Sequence, residues 1–119
     1  NIEVKKFSNN KWEVFITNGR DRTEIEVIDW IKKCESLGAG EIMITSIDNE
    51  GTGKGSDLEL LNLVQDSTKL PLVYSGGIGN LKDIEDLSEI KIDGLALSRV
   101  LHYNLLEIHE IKNALNFDK

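Results

Sequence analysis

The sequence predicts an α/β fold of four parallel strand–helix units, with a small hairpin after the first strand, and three observations predict it. Short apolar runs recur at Ile42-Met43-Ile44, Leu72-Val73-Tyr74 and Ile92-Asp93-Gly94-Leu95-Ala96-Leu97, and each breaks abruptly into small or polar residues. The runs are followed by stretches with helical spacing, so strand and helix alternate and the crossovers are right-handed. The apolar members of the runs lie close together rather than alternating strictly, as in parallel strands covered on both faces.

The first strand is Ile2-Glu3-Val4-Lys5, at the start of a chain that begins with Asn1 rather than Met and reads as the start of a fragment. Lys11 to Thr17 alternates apolar and polar residues, and Asn18-Gly19 is a strong hairpin signal with Arg20 to Thr23 returning. From Glu26 the positions Val27, Ile28, Ile31, Cys34 and Leu37 follow helical spacing, Trp30 lies near the same face, and Gly38 supplies the stop. Next come the Glu41 to Ile47 run and the loop Asp48-Asn49-Glu50-Gly51-Thr52-Gly53-Lys54-Gly55. Ser56-Asp57 then caps a helix with Leu58, Leu61 and Val64 on its apolar face, widened by Leu60 and Leu63. Pro71 marks the next strand, which opens into Ser75-Gly76-Gly77-Ile78-Gly79. A helix from Asn80 to about Leu87 uses Leu81, Ile84 and Leu87. After the last strand, Leu101 to Leu115 reads as one helix striped by Leu105, Ile108, Ile111 and Leu115.

A chain of 119 residues supports a single domain, residues 1–119, and 39% hydrophobic with 29% charged residues places it among globular proteins. A formal net charge of −7 with no basic block disfavours nucleic acid and anionic membranes as partners, so any phosphate binding is local. The single cysteine, Cys34, reads as a helix-face core residue, and no apolar run approaches the roughly 18 residues of a membrane span. Together these point to the reducing cytoplasm. His102 and His109 lack Cys or carboxylate partners at ligand spacing, so no metal is expected. The Glu24, Glu26 and Asp29 cluster is explained by the positive end of a helix dipole.

Function is concentrated where the strands end. Gly51, Gly53 and Gly55 let backbone N–H groups approach a phosphate without a Cβ in the way, and parallel strands bring three such ends to one rim. Four units cannot close an eight-stranded barrel. A curved four-stranded sheet leaves two edges open, so the chain is expected to self-associate or to need a missing N-terminal half.

The block Gly38-Ala39-Gly40-Glu41-Ile42 leading to Thr45-Ser46-Ile47-Asp48-Asn49-Glu50-Gly51-Thr52, with Ser75-Gly76-Gly77-Ile78-Gly79, resembles the cyclase subunit of imidazole glycerol phosphate synthase. The resemblance covers essentially the whole chain. It implies the C-terminal half of a TIM (β/α)8 barrel, units five to eight. The implied activity is a carbon–nitrogen lyase of histidine biosynthesis that uses no cofactor. Ammonia from a glutaminase partner joins a phosphoribulosyl-formimino aminoimidazole carboxamide ribonucleotide, giving imidazole glycerol phosphate and aminoimidazole carboxamide ribonucleotide.

By resemblance, Glu3 occupies the strand-five acid–base position, where the family commonly has aspartate, and the other family carboxylate lies on a strand absent here. The isolated chain is therefore expected to be inactive. Gly51, Gly76, Gly77 and Ser98 fall at the C-terminal phosphate site, with Leu97 where alanine is typical. The stretch from Ser98 to His102 is one residue longer than the family pattern. Glu50, where aspartate is usual, is placed at substrate hydroxyls, Thr45 and Ser75 within the pocket, and Glu41 at the ammonia gate on the opposite rim. Two other readings fit these departures: a paralogue serving surface-sugar amidation, and a half-barrel that binds phosphate without catalysis.

Overall fold

In the computed structural model, which describes residues 1–115, strand β1 (Ile2–Ser8) buries Ile2 and Val4 and leaves Glu3 half-buried between them. Asn10, at φ 56°, turns the chain into β2 (Lys11–Ile16), which returns as β3 (Asp21–Glu26). Left-handed Thr17, Asn18 and Gly19 form the second turn, closed by the Arg20 amide donating to the Ile16 carbonyl at 3.1 Å. The connection is thus longer than the two-residue turn that Asn-Gly favours. Both hairpin strands pair antiparallel and extend the main sheet beyond β1.

Helix α1 (Val27–Ser36) buries Val27 and Ile31, carries Asp29 in its first turn and Lys33 in its last, and stops before Gly38 at φ +88°. Because the helix has ended, Leu37 is 70% exposed and does not belong to the buried stripe assigned to it from spacing. Cys34 is half-buried and packs against the core. Strand β4 (Ile42–Ser46) is followed by α2 (Leu58–Val64), and β5 (Leu72–Ser75) by α3 (Leu81–Glu85). Asp57 caps α2 by accepting the Leu60 amide, and Asn80 caps α3 in a reciprocal box with Asp83. The buried face of α2 is Leu60, Leu61 and Val64, so Leu60 is central where spacing had put Leu58.

Strand β6 (Gly94–Ala96) leads to α4 (Arg99–His102) and α5 (Ile108–Leu115), where the sequence had suggested one continuous helix. The break has a local cause. Asn104 adopts a left-handed φ of 53°, the Leu105 amide bonds back to the Val100 carbonyl at 2.8 Å, and Glu110 accepts the Glu107 amide to start α5. The apparent stripe straddles two helices, so Leu105 and Ile108 are exposed while Ile111 is buried.

The sheet order is β3-β2-β1-β4-β5-β6, with β1, β4, β5 and β6 parallel. Register aligns Ile2 with Ile44, Ile42 with Leu72 and Ile44 with Tyr74, and these residues share one core with Ile31, Leu61, Ile84 and Ile111 of the helices. The alternate residues Glu3, Met43, Val73 and Ser75 are only partly buried. One face of the sheet therefore packs on the helices, and the carboxyl ends of all four parallel strands meet at one rim.

Candidate functional site

Between the ends of β4, β5 and β6 the rim opens into a cleft lined by Glu50, Gly51, Gly53, Ser75–Ile78 and Ala96–Val100. Seven of the residues singled out from sequence, Glu50, Gly51, Ser75, Gly76, Gly77, Leu97 and Ser98, are brought together here. The cleft is a shallow one, about 290 Å³ counting the part open to solvent.

The glycines are required by contact as well as by conformation. Gly77, at φ +85°, lies so close to the Gly55 carbonyl that any Cβ would collide with it, and Gly79 stands in the same relation to the Gly53 carbonyl. The Gly55 amide donates to the Gly77 carbonyl at 2.8 Å, and Asn49 Nδ2 donates to the Gly55 carbonyl at 2.8 Å. The loop after β4 is thereby laced to the loop after β5. Gly51, at φ +72°, faces open space, so its side needs only the conformational freedom.

A polar network holds this arrangement from beneath. Asp57 Oδ1 accepts the Leu60 amide at 3.1 Å, while Oδ2 accepts Trp12 Nε1 at 3.0 Å and lies 3.1 Å from the Ser46 hydroxyl. The Asp57 amide donates to the buried Tyr74 hydroxyl at 2.9 Å. Burial pushes the Tyr74 phenol above its usual range, so it remains a neutral hydrogen-bonding group. The hairpin thus braces the loop through Trp12, a role for which the sequence carried no local motif.

The remaining predicted residues lie apart from the cleft. Thr45 is buried and donates from Oγ1 to Asn1 Oδ1 at 2.9 Å, in register with Glu3 on one side and Ser75 on the other. Glu3 lines a neighbouring, more apolar cleft with Phe15, Ile25 and Trp30. Glu41 is exposed and immediately precedes β4, at the opposite rim. Within the cleft, the Ser75 hydroxyl donates to Glu50 Oε2 at 3.2 Å. Arg99, not singled out as a site residue from sequence, also lines the cleft with its guanidinium against Gly53. Its only sequence signal was its place directly after Ser98 at a strand end.

Parallel strands, helices packed on one face and a glycine-lined cleft at the carboxyl rim define a protein of the barrel-wall α/β class. The family model described as "Histidine biosynthesis protein" matches residues 1–107, and the chain belongs to that family, whose members are (β/α)8 barrels. Its sequence is 42% identical over 109 residues to the imidazole glycerol phosphate synthase subunit HisF of Lactococcus lactis subsp. cremoris (strain MG1363), covering 91% of this chain and 42% of that protein. It is 43% identical over 117 residues to the protein of the same name from Prochlorococcus marinus (strain MIT 9515), covering 96% and 46%. The Trichormus variabilis (strain ATCC 29413 / PCC 7937) protein of that name is 41% identical over 109 residues, covering 91% and 42%. The chain therefore spans under half the length of these curated relatives.

Proposed function

We propose that residues 1–119 form the fifth to eighth strand–helix units of a cyclase subunit of imidazole glycerol phosphate synthase. The observation that carries this reading is the convergence of Gly51, Gly76, Gly77, Leu97 and Ser98 on one cleft, in a chain more than 40% identical to proteins bearing that name. In this reading the cleft holds one phosphate of the phosphoribulosyl-formimino aminoimidazole carboxamide ribonucleotide through backbone N–H groups. Glu50 and Ser75, already hydrogen-bonded to each other, meet the adjoining hydroxyls, and Thr45, outside the cleft lining and in register between Ser75 and Glu3, meets the substrate toward Glu3.

Glu3 serves as the acid–base carboxylate on β1, working with a second carboxylate from the preceding units in a carbon–nitrogen lyase reaction. Ammonia reaches the site from a glutaminase partner past Glu41 at the far rim. Without those units the chain is inactive, and its open sheet edges are covered by them or by self-association in the cytoplasm.

A second reading, phosphate binding without turnover, is favoured by one observation: Glu3 and the glycine loops line separate clefts. Complementation with the N-terminal half of a related cyclase, assayed for imidazole glycerol phosphate formation with ammonium, separates the two. The lyase reading expects weak turnover that Glu3→Gln abolishes and Glu3→Asp raises, since misplacing an acid–base group by about an ångström costs roughly 100-fold. Turnover unchanged in Glu3→Gln overturns the role given to Glu3.

A further inference from the structure

We propose that Arg99 is the charge-bearing anchor of the cleft, gripping a phosphate dianion through its guanidinium while the glycine loops supply backbone donors. The inference rests on the phosphate reading above and adds to it a specific side chain that discriminates by charge. Three features converge on Arg99. Its guanidinium lies against the backbone of Gly53, where a Cβ would stand 2.6 Å from Nη1 and 3.1 Å from Cζ, so a side chain at 53 would push the guanidinium from this position. On another side its Cζ is 5.7 Å from the centre of the Tyr103 ring, a cation–π shelf. Arg99 also makes no salt bridge among the described residues, although Glu50 lines the same cleft.

In a chain of net charge −7 with no basic block, the charge an anion meets in the cleft is set by the cation that lines it. Its five donors are directed by the planar fork, which matches two phosphate oxygens at once. Glu50 would repel a dianion entering the cleft, and Arg99 is the cationic group lining that cleft that offsets it. The glycine amides then fix the position of the phosphate while Arg99 selects its charge.

The test is a titration of the 119-residue chain with inorganic phosphate and, separately, glycerol 3-phosphate, followed by amide NMR. The parent is expected to show saturable shifts at Gly51, Gly53, Gly76 and Gly77. Arg99→Met keeps the apolar stem and removes the charge; its dissociation constant is expected to rise about tenfold to a hundredfold, the range for a hydrogen bond to a charged group. Arg99→Lys should recover part of the loss, since an ammonium keeps the charge without the fork. Arg99→Met should also flatten the dependence of affinity on ionic strength, which a purely structural role would leave unchanged. Tyr103→Leu, which removes the shelf and leaves the charge, should weaken binding about two- to fivefold. Equal affinity of Arg99→Met and parent overturns this inference alone. Absence of saturable shifts in the parent overturns it together with the phosphate reading of the cleft.

Discussion

Removing the Asp57 carboxylate should destabilise the protein more than any exposed charge deletion, because three different elements depend on it. In Asp57→Ala, α2 loses its cap at the Leu60 amide, a loss worth about 0.5–2 kcal/mol. Trp12 Nε1 loses its acceptor while its side chain stays 1% exposed, which costs about 1–3 kcal/mol for a buried donor left unmade. Ser46, equally buried, still has Asn49 Oδ1 at 3.0 Å and so adds little. The contributions share one group and do not simply add, so about 2–4 kcal/mol is expected, a large part of the roughly 5–15 kcal/mol that holds a domain folded.

Urea denaturation is the assay: the midpoint should fall with the slope unchanged. Asp57→Asn keeps the capping oxygen and should cost about half as much, because its amide meets the Trp12 donor as another donor. Combining it with Trp12→Phe removes that conflict, so the double variant should lose less than the two single losses summed. An Asp57→Ala midpoint that implies less than about 0.5 kcal/mol, the usual range for surface changes, would refute the bracing role.

Two further predictions follow from the glycine loops and the hairpin. Gly77→Ala forces a Cβ onto the Gly55 carbonyl and should cost about 2–4 kcal/mol, whereas Gly51→Ala, with a similar φ but open space around it, should cost about 1 kcal/mol; equal losses in urea titrations would show that backbone conformation alone matters. The Arg22 guanidinium, 2.8 Å from Glu13 Oε2, and the Glu24 amide hold the Glu13 carboxyl below its usual range. A carboxylate whose folded value is depressed contributes stability above its unfolded value, near pH 4.3, and that contribution disappears as pH falls through the folded value. Thermal melts should therefore show a fall below about pH 4.3 that is shallower in Glu13→Gln, and an identical acid limb in both proteins would contradict the assignment.

The parallel framework was legible because it rests on local periodicity and punctuation. Tight apolar runs, Asp57 and Asn80 at helix starts, and Gly38 after α1 each act within one turn of chain, and each is found doing so. The clustering of Gly51, Gly77 and Ser98 was legible for a related reason: parallel strands carry their carboxyl ends to one rim whatever the register. What spacing could not reveal was long-range. The split between α4 and α5 depends on Asn104 turning left-handed, which leaves Leu105 and Ile108 looking like a stripe although no single helix carries them. Arg99 joins the cleft by lying against the backbone of Gly53, far away in sequence.

On the phosphate reading, the braces around the cleft let a loop so rich in glycine act as a preformed donor surface. Gly51, Gly53 and Gly55 all hold positive φ, and each loses more conformational freedom on folding than any other residue type would. Left to itself, such a loop would sample many shapes and would have to be ordered by its ligand, weakening binding by the cost of that ordering. Here the order is supplied from both ends before a ligand arrives. The Asn49 side chain and the Gly77 carbonyl fix Gly55, while Asp57 ties the chain just beyond it to the hairpin, β4 and β5. The hairpin beyond β1 therefore acts on the cleft indirectly: Trp12 carries no chemistry, yet it holds the carboxylate that positions the glycine loop. Trp12→Phe would thus be expected to weaken phosphate affinity without touching any group that lines the cleft.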